Sequence, residues 1–148
     1  ELYNTKDDVP SKPYFIDFKK PRIRKTGKDL TIVGFGPTIL KALKAMEKFQ
    51  KNSIELIDLR NLRNYDEKII YKSVEKTKKL IVVEDGWKDY GLGAEIIAKV
   101  SDHKINLKKP AERICWPQSH IPMSMGIEDE YYFDENDIIK KIQSILRK

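Results

Sequence analysis

The stretch Leu-Ile-Val-Val-Glu-Asp-Gly-Trp at residues 80–87 decides the fold class of this chain. Residues 80–83 form an unbroken apolar run that is mostly β-branched. Such a run is typical of a strand buried on both faces of a parallel sheet. The carboxylates and the glycine that follow it are typical of a loop. A strand covered on both faces requires helices above and below the sheet, so the flanking sequence is expected to supply them.

Short apolar runs and amphipathic stretches alternate on both sides of this segment. Further strands are predicted at residues 30–33, 54–59 and 111–116. Apolar residues at helical spacing, with Thr38 as the first N-cap, predict helices at residues 39–51, 66–78, 91–100 and 134–146. This alternation predicts an α/β domain with a mainly parallel sheet and right-handed crossovers.

The first part of the chain has a different character. Pro10, Pro13 and Pro21 interrupt any regular element, and a basic stretch at residues 19–27 ends in glycine. We therefore expect an extended interdomain linker over residues 1–27 and a folded domain over residues 28–148. The chain also begins without methionine, which predicts a fragment or a processed form.

Composition narrows the class of protein. A length of 148 residues fits one domain, and no apolar run approaches the roughly 20 residues that span a bilayer. The net charge of +6 comes from scattered lysines, as expected of solvated helix faces. A basic nucleic-acid-binding module is an alternative, but the chain lacks a basic patch interleaved with aromatic residues. We expect neither nucleic acid nor a membrane as a partner.

The single Cys115 cannot form a disulfide within the chain, in agreement with a reducing compartment. The alternation around it in residues 112–116 predicts a buried structural thiol. His103 and His120 lie far apart without other ligands at metal-binding spacing. The sequence Gly-Phe-Gly-Pro at residues 34–37 resembles half of a dinucleotide fingerprint, but it is more typical of a tight turn between strand and helix.

Three side chains are candidates for contacts at the ends of predicted strands. Arg60 and Arg63 follow the strand at residues 54–59, where an arginine binds an anion, orders a subunit contact, or pairs with a nearby carboxylate. Trp87 adjoins a glycine in a loop, where tryptophan is enriched at interfaces; packing within the domain is the alternative. We assign no catalytic, cofactor-binding or metal-binding residue, and such a domain is expected to assemble with another polypeptide.

Several segments in this order and spacing resemble one family. They are residues 27–33, 57–66, 72–77, 80–87 and 91–96. Together they resemble the C-terminal domain of transketolase-like enzymes, and most closely that of the β subunit of a thiamine-diphosphate-dependent pyruvate or branched-chain 2-oxo acid dehydrogenase. His120 departs from the pattern of the family, and the tail at residues 128–133 departs from that of the mitochondrial pyruvate enzymes.

The resemblance implies a three-layer α/β/α domain whose sheet has about five strands, mostly parallel, with one antiparallel edge. It implies that thiamine diphosphate is bound by domains absent here, so that the isolated domain is inactive. The implied partners are an α subunit, a second β subunit and a dihydrolipoyl acyltransferase core. The implied location is the mitochondrial matrix, a plastid-type organelle or the bacterial cytoplasm. The alternative within the same resemblance is a transketolase or deoxyxylulose-phosphate synthase.

Overall fold

A computed structural model describes Lys6 and residues 8–147. Its sheet has the spatial order β1-β3-β2-β4-β5. The strands are β1 (Arg22–Lys25), β2 (Leu30–Gly34), β3 (Ile54–Asp58), β4 (Leu80–Trp87) and β5 (Glu112–Trp116). β1 runs antiparallel to β3, and the other neighbours are parallel. The three-layer α/β prediction, with a mostly parallel sheet and one antiparallel edge, is confirmed.

Helices cover both faces of the sheet. They are α1 (Thr38–Met46), α2 (Lys68–Thr77), α3 (Leu92–Asp102), α4 (Met125–Tyr131) and α5 (Glu135–Leu146). β4 shows why its sequence is apolar without alternation: Ile81 and Val83 pack with α1 and α5, while Leu80 and Val82 pack with α2 and α3. No helix within residues 8–147 combines the length and the apolar character needed to span a bilayer.

A buried polar layer joins the sheet to α2. The Thr31 hydroxyl lies 2.7 Å from the hydroxyls of both Ser73 and Thr77. The buried Glu55 carboxylate accepts hydrogen bonds from Lys76 Nζ at 2.7 Å and from the Gly27 N–H at 3.1 Å. Burying a polar group costs free energy unless the group is hydrogen-bonded. These pairings therefore fix α2 in one register on β2 and β3.

The predicted N-cap of α1 was wrong. Pro37 occupies the N-cap position, and Thr38 is the first helical residue. The Thr38 hydroxyl turns back to the preceding loop, where it donates to the Phe35 carbonyl at 2.7 Å and accepts from the Phe35 N–H at 3.1 Å. α1 also ends earlier than predicted, at Met46. The chain continues in tight turns, one of which is closed by the hydrogen bond from the Lys48 N–H to the Ala45 carbonyl.

Two elements were not predicted from local pattern. β1 lies inside the segment predicted as linker, and all of its residues are exposed, so no apolar alternation announces it. α4 contains Gly126 and buries only Tyr131, so it lacks an apolar stripe. The division into a linker over residues 1–27 and a domain over residues 28–148 stays a prediction.

Candidate interaction surface

Exposed apolar side chains gather on the loops at the carboxyl edge of the sheet and on α4. We call this set the apolar rim; its members are Trp87, Tyr90, Ile121, Met123, Met125 and Ile127. Trp87 ends β4, opposite Trp116 in the β5 register, and Tyr90 belongs to the loop that leads into α3. Large exposed apolar residues at one edge of a folded protein are candidates for contact with other molecules.

Tyr131 ties the parts of the rim together. Its hydroxyl accepts a hydrogen bond from Trp87 Nε1 at 3.2 Å and lies 3.0 Å and 2.7 Å from the carbonyls of Pro117 and Ser119. Its ring packs edge-on against Tyr132, with 5.4 Å between centroids. The loop after β5 and α4 are thereby held beside Trp87.

Trp87 packs within the domain, and the interface role predicted for it stays a prediction. The indole N–H is anchored on Tyr131 within the domain, while 46% of the residue's surface remains exposed. A large aromatic ring held in one orientation loses little conformational freedom when a partner covers it. Trp87 is therefore suited to be the fixed centre of a contact surface.

Glu84 lies beneath this edge, and no role was predicted for it from the sequence. It is 2% exposed, and its Oε2 accepts the Gly93 N–H at 2.8 Å near the start of α3. A Cβ at Gly91 or Gly93 would lie only 2.7 Å or 2.6 Å from a carboxylate oxygen. The two glycines therefore close over Glu84, and the sequence signal was a Gly-Leu-Gly stretch seven residues after the acid. Oε1 has no hydrogen-bond partner in the described part of the chain.

The guanidinium group of Arg60 does not pair with the nearby Asp58 carboxylate. The Asp58 carboxylate is taken by Arg24, at 2.9 Å and 2.6 Å, and also accepts the Arg60 N–H at 3.0 Å. The exposed guanidinium groups of Arg60 and Arg63 have no partner among residues 8–147. Arg60 instead lines a cavity of about 340 Å³ together with Lys20 and Arg22.

The remaining sequence candidates are engaged locally. Gly36 adopts φ +57° in a tight turn, as predicted for that loop. The ring of His103 stacks on Tyr71 with 3.8 Å between centroids, and His120 is exposed. Within the described ranges, no group of three or more His, Cys, Asp or Glu side chains has the geometry to hold a metal ion.

Cys115 is half-buried, whereas a buried structural thiol was predicted. The inward-facing residue of β5 is Ile114, because the alternation places Cys115 on the other side of this edge strand. Burial, and after it the nearby Glu84 carboxylate, raises the pKa of the Cys115 thiol. A raised pKa reduces the fraction of reactive thiolate.

Comparison with known proteins places this geometry in context. Residues 19–138 match the family described as "Transketolase, C-terminal domain". The chain is 34% identical over 154 residues to "Pyruvate dehydrogenase E1 component subunit beta, mitochondrial" of Dictyostelium discoideum, covering 99% of this chain and 43% of that protein. It is 33% identical over 150 residues to "Pyruvate dehydrogenase E1 component subunit beta" of Staphylococcus aureus, covering 99% of this chain and 46% of that protein. The chain thus spans less than half the length of these relatives.

Solved structures share the fold. The chain superposes on "Split gene transketolase, inactive beta4 tetramer" with a TM-score of 0.70 and 21% identity, covering 95% of this chain and 45% of the other. It superposes on the 2-oxoglutarate:ferredoxin oxidoreductase from Magnetococcus marinus with a TM-score of 0.60 and 17% identity, covering 86% of this chain and 20% of the other. At these identities the similarity concerns the fold alone.

Proposed function

The chain belongs to the family of transketolase C-terminal domains, and from that premise we propose that it is the assembly domain of the β subunit of a 2-oxo acid dehydrogenase. The parent reaction decarboxylates a 2-oxo acid, and pyruvate is the favoured substrate because the relatives in Dictyostelium and Staphylococcus are named pyruvate dehydrogenase β subunits. The role of this domain is to associate subunits. The mitochondrial matrix, a plastid-type organelle and the bacterial cytoplasm are the compartments that fit.

The apolar rim is the observation that carries this proposal. Trp87, Met123 and Met125 are side-chain types enriched in interfaces, and all three are exposed. Burying apolar surface against a partner releases about 25 cal/mol per Å². A sister subunit laid on the carboxyl edge of the sheet would therefore gain most at the anchored Trp87 ring. The α subunit, a second β subunit and a dihydrolipoyl acyltransferase core are the partners in the proposal.

Thiamine diphosphate is bound, in this proposal, by polypeptide outside the chain. A carboxylate that activates the cofactor's ring must touch that ring, and the buried acids at the carboxyl edge are Asp58, which is paired with Arg24, and Glu84. The cover formed by Gly91 and Gly93 leaves no room for a ring beside it. The residues present do not fit the cofactor, so the chain is expected to be inactive alone.

Sedimentation of the full-length protein tests the assembly role. The double variant Trp87→Ala, Met123→Ser is expected to weaken subunit association by at least about tenfold, because truncating a central tryptophan commonly costs about 2 kcal/mol or more. Lys48→Ser, Lys51→Ser is the control, since both lysines are exposed on the turn that precedes β3 at the opposite edge of the sheet. Unchanged association of the first variant would refute the role of the rim.

Reconstitution with the α subunit tests the reaction class. The full-length protein is expected to decarboxylate pyruvate in the presence of thiamine diphosphate, whereas the 148-residue chain alone is not. Calorimetry of the chain is expected to show no tighter binding of thiamine diphosphate than of inorganic pyrophosphate, because the residues present do not fit the rings of the cofactor. Tighter binding of the cofactor than of pyrophosphate, or ketol transfer between sugar phosphates in place of decarboxylation, would contradict the proposal.

A further inference from the structure

A cationic cavity lies beside β3, on the side of the sheet away from β4 and the apolar rim. It has a volume of about 340 Å³ and lies between the start of β1 and the β3–α2 loop. Its lining residues are Lys20, Pro21, Arg22, Ile23, Arg60 and Ile69. None of them belongs to the apolar rim, so a function of this cavity does not depend on the assembly role proposed above.

The charge of the cavity comes from three cationic side chains. The cationic groups of Lys20, Arg22 and Arg60 form no ion pair or side-chain hydrogen bond in the part of the chain that the structure describes. The nearby Asp58 carboxylate is paired with Arg24 instead, at 2.6 Å. Like charges gathered in one concavity repel each other, and a bound anion relieves that repulsion.

The backbone holds these cations in place. Arg22 is paired with Asp58 in the register between β1 and β3, and Pro21 before it is buried. Arg60 has φ +58°, a left-handed conformation that costs a non-glycine residue of order 1–3 kcal/mol. The bond from its N–H to Asp58 Oδ1 at 3.0 Å maintains that conformation. The two arginines therefore project from backbone that is fixed before any ligand arrives.

We infer that this cavity binds a small molecule bearing a phosphoryl or diphosphoryl group attached to an apolar fragment. Guanidinium forks match phosphate oxygens in pairs, and the lysine adds a point charge. Pro21, Ile23 and Ile69 provide the apolar part of the lining. The volume lies within the range of roughly 300–1,000 Å³ typical of small-molecule sites. A discrete concavity of this size favours a small ligand over an extended acidic peptide.

Calorimetric titration of the full-length protein with inorganic pyrophosphate at low ionic strength tests the inference. One saturable site is expected. Arg22→Gln and Arg60→Gln are each expected to weaken binding by at least about tenfold, as loss of a charge-assisted hydrogen bond does. Arg63→Gln removes the same charge from the same loop, but Arg63 does not line the cavity, so its effect is expected to stay below about threefold.

A further variant separates loss of binding from loss of structure. Arg60→Gly retains the left-handed backbone at lower cost, so it is expected to abolish the Arg60 contribution without lowering the thermal midpoint. Absence of saturable pyrophosphate binding would overturn the inference, as would an equal loss of affinity in Arg63→Gln. Binding of a polyglutamate peptide through Arg60 without binding of pyrophosphate would also overturn it, in favour of a protein-docking surface.

Discussion

Gly27 lies against the backbone at the start of β3, where even one added carbon would not fit. A Cβ at this position would be 2.2 Å from the Ile54 carbonyl carbon and 2.3 Å from the Glu55 nitrogen. We expect Gly27→Ala to lower the free energy of unfolding by about 3 kcal/mol, because main-chain atoms on both sides would have to move apart. Urea unfolding measures the change.

Gly126 provides the matched control for that substitution. It lies inside α4 with no atom within 4 Å of an added Cβ. Gly126→Ala is expected to raise the free energy of unfolding by up to about 1 kcal/mol, since alanine favours the helix. Similar effects of the two substitutions would show that contact at Gly27 does not control its tolerance.

Glu55 gives the stability of the fold a dependence on pH. Burial favours its neutral form, but hydrogen bonds from Lys76, Ser73 and the Gly27 N–H favour the carboxylate more strongly, so the pKa of Glu55 lies below its ordinary value of 4.5. The unfolded chain therefore takes up this proton first as the pH falls. The contribution of Glu55 to stability is complete well above pH 4.5 and is lost as the pH falls below that value towards the folded-state pKa.

Comparison with Glu55→Gln isolates this contribution. The difference in free energy of unfolding between the wild type and Glu55→Gln is expected to shrink as the pH is lowered from about 7 to about 3. Lys76→Gln removes the ion-pair partner and is expected to reduce the same pH dependence. Urea unfolding at a series of pH values provides the measurement, and a difference that stays constant with pH would contradict the assignment.

At the level of single residues, sequence reasoning identified types of side chain more readily than their partners. Arg60 was recognised as a candidate, but the partner of Asp58 is Arg24, from a segment predicted to be a linker. The close approach of Gly91 and Gly93 to Glu84 was likewise not predicted, because a Gly-Leu-Gly stretch does not indicate which side chain packs against it. Such contacts depend on tertiary placement, which local patterns do not encode.

Among the elements, α5 depends on its first turn. The Asp134 side chain accepts the N–H groups of Asn136 and Asp137, and Asp137 completes a capping box with the Asp134 N–H. Bonds from the Asn136 side chain and the Asp137 N–H lower the pKa of Asp134. Asp134→Ala is expected to cost about 1 kcal/mol of stability, as loss of a side-chain N-cap usually does.

Ser124 is the control for the cap of α5. It occupies the N-cap position of α4 but makes no side-chain capping bond. Ser124→Ala is therefore expected to change the unfolding midpoint little, and thermal unfolding followed by circular dichroism compares the two variants. An effect of Ser124→Ala as large as that of Asp134→Ala would show that the capping geometry is not the cause.

The elements that local sequence predicted are those with a buried face. α5 presents Ile138, Ile142 and Ile145 to the core at helical spacing, and β4 is apolar throughout its buried part. β1 and α4 contribute almost no side chain to the core, so hydrophobic periodicity contains no signal for them. The antiparallel edge strand was expected only from the family resemblance. Its position at residues 22–25 is shown by the pairing of β1 with β3.

For the molecule as a whole, the order β1-β3-β2-β4-β5 brings distant segments together in ways that alternation of strand and helix does not specify. The cationic cavity is an example: Lys20 and Arg22 meet Arg60 only because β1 pairs with β3. Parallel strands and covering helices followed from the sequence, whereas the neighbour of each edge strand did not.

Truncation tests where the folded domain begins. A chain starting at residue 19 keeps β1, whereas one starting at residue 28 exposes the outer edge of β3 and leaves the nearly buried Asp58 carboxylate without Arg24. We expect the shorter chain to be less stable by about 3 kcal/mol, since it loses the β1–β3 ladder, the Arg24–Asp58 pair and the bond from the Gly27 N–H to the buried Glu55 carboxylate. Urea unfolding compares the two; equal stability would support the predicted boundary at residue 28.

The charge of β1 has a consequence for behaviour at high concentration. Arg22, Arg24 and Lys25 place positive charge along a short outermost strand. A second molecule that extended the sheet at β1 would bring its own cations against those of β1. Short, positively charged edge strands of this kind discourage stacking into fibrils. The strand that pairs with β3 along one side therefore protects newly made chains from cross-β growth along its other side.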